Sequence, residues 1–136
     1  MSSTLSPEHQ IVNALVDRLK STTAQVLLGY SATGVEQDLT LPSLLVQLES
    51  ITEQTRNGTR AKYQMQFILS AVVPTDENTT YELLNLVRSV RESLNNPQPL
   101  CEQVRQLTFS ETQFDIAPGQ GHLSFADMTL TIEAIF

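Results

Sequence analysis

The dipeptide Asn57-Gly58 sits between two runs of alternating apolar and polar residues, and no other feature constrains the fold as much. Both residues tolerate positive φ, so they suit the tight turns that join antiparallel strands. Before the turn, Ser43 to Thr52 reads as a strand. Leu44, Val46, Leu48 and Ser50 share one of its faces, and Leu45, Gln47, Glu49 and Ile51 share the other. After the turn, Tyr63, Met65, Phe67, Leu69 and Ala71 alternate with Gln64, Gln66, Ile68 and Ser70. Only one face of this return strand is strongly apolar. The pattern predicts a long antiparallel hairpin with one face against a core.

Two amphipathic helices are available to cover that face. From Pro7 to Lys20, Ile11, Leu15 and Leu19 recur every four residues, flanked by Val12 and Val16. Ser6 is placed to cap this helix, with Pro7 at its first position and Glu8 in its first turn. The second helix follows the Pro74–Thr80 segment and carries Leu83, Leu84, Val87, Val90 and Leu94 at helical spacing. It is expected to stop at Asn95-Asn96-Pro97. Ala24 to Leu28 reads as a short strand, Tyr30 to Pro42 as a loop and Gln103 to Thr108 as another short strand. The final segment alternates Met128, Leu130, Ile132, Ala134 and Phe136 against polar residues and is expected to lock into the sheet. Leu123 and Phe125 fall out of phase with it, which predicts a bulge near Ala126-Asp127. The order α-β-β-β-α-β-β, with hairpin connections, predicts one α+β domain over residues 1–136, its sheet largely antiparallel and its helices on one face.

Charge and cysteine content exclude several functions. The 136 residues carry 8 Lys+Arg against 15 Asp+Glu, a net charge of −7, which argues against a nucleic-acid binder. No apolar run reaches the roughly 18–20 residues of a membrane span, and the first residues lack the pattern of a secretory signal. Cys101 is the sole cysteine, so neither an intramolecular disulfide nor a multi-cysteine metal site is possible. These features lead to the expectation of a protein folding in a reducing cytoplasm.

The chain contains no phosphate-binding glycine loop, zinc motif or serine elbow. His122 as a base for Cys101 is the sharpest catalytic pairing on offer, against an exposed loop histidine and a cysteine packed as a small hydrophobe. Asp76 and Glu77 open a helix, where the dipole accounts for them without a metal. Asp115 and Asp127 flank a turn and read as solvated. The expectation is therefore no enzyme activity, no cofactor and no metal. Arg56, Arg60 and Lys62 gather around Asn57-Gly58 and concentrate three of the eight basic residues at one hairpin tip. They either guard a strand edge or form a positive finger that meets the acidic surface of another copy. The polar face, with Gln47, Glu49, Gln64, Gln66, Thr129, Thr131 and Glu133, is either simply solvated or lines a channel in a ring.

Taken along the whole chain, these segments resemble the phage tail terminator, or tail completion, family of the small Mu-like and lambdoid type. The likeness lies in the helix with Ala14-Leu15-Val16-Asp17-Arg18-Leu19 and in Leu41-Pro42-Ser43-Leu44-Leu45-Val46-Gln47-Leu48-Glu49. It continues through the helix Tyr81 to Arg91 and the terminal strand Met128 to Phe136. Tyr30 to Leu39 and Cys101 to Gln120 match none of the family's motifs. The resemblance implies a structural protein that caps the head-proximal end of the tail tube as a homomeric, usually hexameric, ring. Its partners would be further copies of itself, a tail tube protein and a head–tail connector protein. The genome would slide past an acidic lumen without sequence-specific contact. Such a protein would work in the cytoplasm of the bacterial host during assembly and then in the virion tail. The competing expectation is a small α+β ligand-binding or enzymatic domain with a pocket between helix and sheet.

Overall fold

The computed structural model describes residues 5–22, 24–29, 41–95 and 98–136. The first helix, α1 (Pro7–Leu19), starts where the Ser6 hydroxyl accepts the His9 N–H at 3.1 Å, as the capping pattern requires. The chain continues through β1 (Gln25–Leu28), β2 (Ser43–Asn57), β3 (Arg60–Pro74), α2 (Thr79–Leu94), β4 (Val104–Asp115) and β5 (Leu123–Ile135). Asn78, the N-cap residue of α2, makes no side-chain cap. The turn before it is held by Asp76 and Thr79 instead. The Asp76 carboxylate accepts the Asn78 N–H at 2.7 Å, and the Thr79 hydroxyl accepts the Asp76 N–H at 2.6 Å.

The five strands form one sheet in the order β1-β2-β3-β5-β4. β1 runs parallel to β2 and all other neighbours are antiparallel. This is the expected α+β fold, with both helices on one face. Leu44 and Val46, the odd-numbered residues Met65 to Val73, and the even-numbered residues Ala126 to Ala134 line that face. They pack against Ile11, Leu15 and Leu19 of α1 and Leu83, Leu86, Val87, Val90 and Leu94 of α2. Residues 30–40, read from sequence as a loop, and Asn96-Pro97, read as a helix stop, lie outside the described residues.

Four local expectations are corrected. There is no bulge at Ala126-Asp127, because β5 pairs with β3 without interruption from Ile135 to Leu123. The phase was masked by Ser124, a fully buried residue in the core-facing row. Its hydroxyl is satisfied by the Thr75 hydroxyl at 2.6 Å and the Ala117 N–H at 2.9 Å, so a polar residue is accommodated where the pattern wanted an apolar one. The bulges fall on β2 and β4 instead. The one after Leu48 puts Ile51, not Ser50, on the helix-side face, opposite Met65. β4 runs from Val104 to Asp115 rather than ending at Thr108, because β5 offers it a partner as far as Phe125. On α2, Leu86 is buried while Leu84 is 48% exposed. At 100° per residue, Leu86 falls about 60° from Leu83 and Leu84 falls about 100° from it on the other side.

Candidate functional site

The β2–β3 hairpin turns at Gly58, whose φ of +68° explains the glycine. From Leu48 to Arg60 every residue is exposed, so the outer half of the hairpin projects past the helix layer. The three basic side chains do not form a single patch. Arg56 opposes Ala61 on the helix-side face, and Arg60 and Lys62 lie on the opposite face. Arg56 donates a two-pronged hydrogen bond to the Glu53 carboxylate, at 3.0 and 3.1 Å. That bond and the positive charge of Arg56 hold the Glu53 carboxyl below its usual range and push Arg56 above its own. Lys62 pairs across the sheet with Glu133 at 3.4 Å. Arg60, next to Asn57 and Gly58, has no ionic partner among the described residues. Behind the tip, Ala61 and Phe136 exchange both backbone hydrogen bonds, at 2.9 and 3.1 Å. The Tyr63 and Phe136 rings stack with centroids 4.2 Å apart, so the finger is anchored at its base.

Cross-strand rows on the helix-free face continue from β2 to β4. Ser50, Gln66, Thr131 and Thr108 form one row, and Thr52, Gln64, Glu133 and Gln106 the next. Two of its carboxylates are engaged, Glu133 with Lys62 and Asp127 with the Ser70 hydroxyl at 2.6 Å, and Glu49 and Asp115 lie towards its margins. The surface is therefore dominated by amides and hydroxyls rather than by the acidic charge expected of a lumen. At the other end of the same face, Ser43, Leu45, Ser70 and Val72 are buried.

The His122–Cys101 pairing is excluded by topology. His122 precedes β5, and its carbonyl accepts the Thr75 N–H. Cys101 lies beside the opposite end of β5, where its carbonyl accepts the N–H of Val104, the partner of Ala134. The 11 residue steps from Leu123 to Ala134 span about 35 Å of strand. Asp76 is committed to the turn before α2. Among the described residues, no three His, Cys, Asp or Glu side chains gather as a metal site. No helix among them is long and apolar enough to cross a membrane.

The sequence reading missed a second cluster of cations. Between α2 and β4 runs a half-open groove of about 440 Å³, lined by Arg88, Arg91, Glu92, Leu94, Leu107 and Phe109 among others. The Arg91 guanidinium lies 5.2 Å from the Phe109 ring centroid. The spacing of three between Arg88 and Arg91 was the available signal, since it places both on one side of a helix. What it lacked was the strand that they face.

No family model and no curated protein matches the chain. Among solved structures, the fold is similar to that of a chain in the virion of a native gene transfer agent (GTA) particle. The identity is 13% and the TM-score 0.62, over 91% of this chain and 93% of that one. The likeness is one of fold, and it extends over nearly the whole of both chains.

Proposed function

We propose that this protein is a structural component of a phage-type virion, and specifically the terminator of its tail tube. In this reading it forms a homomeric ring, six copies in the family it resembles, at the head-proximal end of the tube. There it stops growth and presents a surface to the head–tail connector. The observation that carries the reading is the fold shared with a virion chain over nearly the full length of both, together with the motifs that resemble the terminator family. A helix-free sheet face of amides and hydroxyls also supports it, because such a surface can line a channel for DNA without holding phosphate. The role calls for no catalysis and no cofactor. The protein would assemble in the host cytoplasm and remain in the virion.

A tube grows by stacking identical rings, so its terminator must bind the last ring and offer no equivalent surface above it. Deleting the protein should give tails of uncontrolled length, or finished tails that fail to join heads. Adding purified protein to headless tails should restore joining, scored by electron microscopy. Tails of normal length already attached to heads in the deletion would rule out the terminator role.

A further inference from the structure

The sheet ends in two open edges among the described residues. β1 covers β2 only from Ser43 to Val46, so Gln47–Asn57 leaves its outer edge unpaired. On the far side, β4 has β5 as its only strand neighbour. Both edges are bulged twice. On β2 the interruptions make Leu48, Ile51, Glu53 and Arg56 the helix-side residues, opposite Phe67, Met65, Tyr63 and Ala61. On β4 they make Thr112, Phe109, Leu107 and Val104 the helix-side residues, opposite Met128, Leu130, Ile132 and Ala134. Counted antiparallel, both sets step by three, two and three residues.

That match has a physical consequence. Bulges and charges normally protect an edge, because a regular strand laid against a bulged one loses register and flips side chains to the wrong face. A strand bulged at the same positions keeps its phase. One antiparallel alignment brings all four helix-side pairs together: Leu48 with Thr112, Ile51 with Phe109, Glu53 with Leu107, and Arg56 with Val104. A slip of two residues in either direction breaks it. The devices that repel a regular strand therefore admit this one. The three, two, three order reads alike in both directions, so two β2 edges also keep phase. They would set Leu48 against Arg56 and Ile51 against Glu53, whereas β4 gives Ile51 the Phe109 ring.

We propose that copies of this chain join edge to edge, β2 of one against β4 of the next, in that register. The occupant of each edge is a second copy, and the surroundings favour it. Ile51, 42% exposed, would close over Phe109, and Glu53 would approach Arg88 and Arg91 at the groove beside β4. In this register Phe114 falls opposite Val46, where β1 already holds the edge. β4 must therefore part from β2 beyond Gln113, which brings Phe114 against Leu28, 43% and 48% exposed. Each copy contributes one edge of each kind, so the contact is heterologous and closes into a ring or continues as a filament. The inference deepens the terminator reading by naming the surfaces that join its subunits, and only the ring, not the edge pairing, rests on that reading.

The test is disulfide trapping in the full chain with Cys101→Ser. Within one copy, Ile51 and Phe109 are three strand spacings apart and offset by two residues, about 16 Å in all, too far for an internal bond. Oxidising the Ile51→Cys, Phe109→Cys variant with diamide should give a ladder of covalent multimers on a denaturing gel. Glu53→Arg should reduce the trapped fraction on the order of tenfold, and adding Arg91→Glu should restore it. Circular dichroism on each variant confirms that it is folded. Three results would each overturn the proposal: only monomers up to millimolar protein, equal trapping by the shifted pair Ile51→Cys, Thr112→Cys, or dimers from Ile51→Cys alone, which would mean that two β2 edges meet. The two readings fail separately. Multimers trapped at 51 and 109, with normal tails in the deletion, would remove the terminator role alone. Rings seen by microscopy without that cross-link would remove the edge pairing alone.

Discussion

Glu53 and Arg56 show how little of a charge cluster survives as free charge once the backbone is folded. Their two-pronged bond lies within one strand, on the helix-side face of an open edge. Its electrostatic effect has a definite sign. The Glu53 carboxyl titrates below its usual range, so its bond favours the folded hairpin above the ordinary Glu pKa and is lost as pH falls through the lowered value. Both side chains are exposed enough for solvent to screen them, and little of the global stability rests on them. An NMR titration should place Glu53 below a model-peptide Glu, and Arg56→Ala should move it back up. An unchanged midpoint in that variant would show that Arg56 is not the cause.

At the scale of elements, α2 decides which of two adjacent candidates belongs to the core. Leu86→Ala should destabilise the protein by about 2–5 kcal/mol, the range for a buried leucine truncated to alanine. Leu84→Ala, at a position 48% exposed, should stay within about 0.5 kcal/mol. Chemical denaturation separates the two, and equal effects would mean that α2 is rotated from the orientation described. The strands make the same point with a different periodicity. Each bulge on β2 or β4 reverses the two-residue alternation beyond it, so one inserted residue reassigns every later side chain.

For the whole molecule, the hairpin and its exposed edge project from a core that does not depend on them. The double variant Arg56→Glu, Arg60→Glu should therefore fold with an unfolding midpoint close to that of the parent. Its assembly should be weakened, and parental assembly should weaken as salt is raised from about 0.05 to 0.5 M, because exposed charges are screened over that range. Analytical ultracentrifugation, with and without tail tubes, measures both. Assembly that is unchanged by charge reversal would remove Arg56 and Arg60 from the interface.

Asn57-Gly58, the long alternating runs on either side of it and two helical stripes were enough to determine the α+β class, the element order and the hairpin. These are local properties: turn chemistry and periodicity act over a few residues and are written directly in the chain. The exposed tip was legible for the same reason, since a polar turn between strands has no core to enter. Tertiary structure alone decided the rest. Ser124 passes as a break in a strand until Thr75 and Ala117, brought from elsewhere in the chain, satisfy its hydroxyl in the core row. The strand expected over Gln103 to Thr108 continues to Asp115 only because β5 supplies a ladder of backbone partners. The matching bulges of β2 and β4 belong to residues some fifty or more positions apart, and the arginines of α2 lie some twenty positions from Phe109; both relations depend on strand order. Pairing register is a property of two strands together, and no single stretch of sequence contains it.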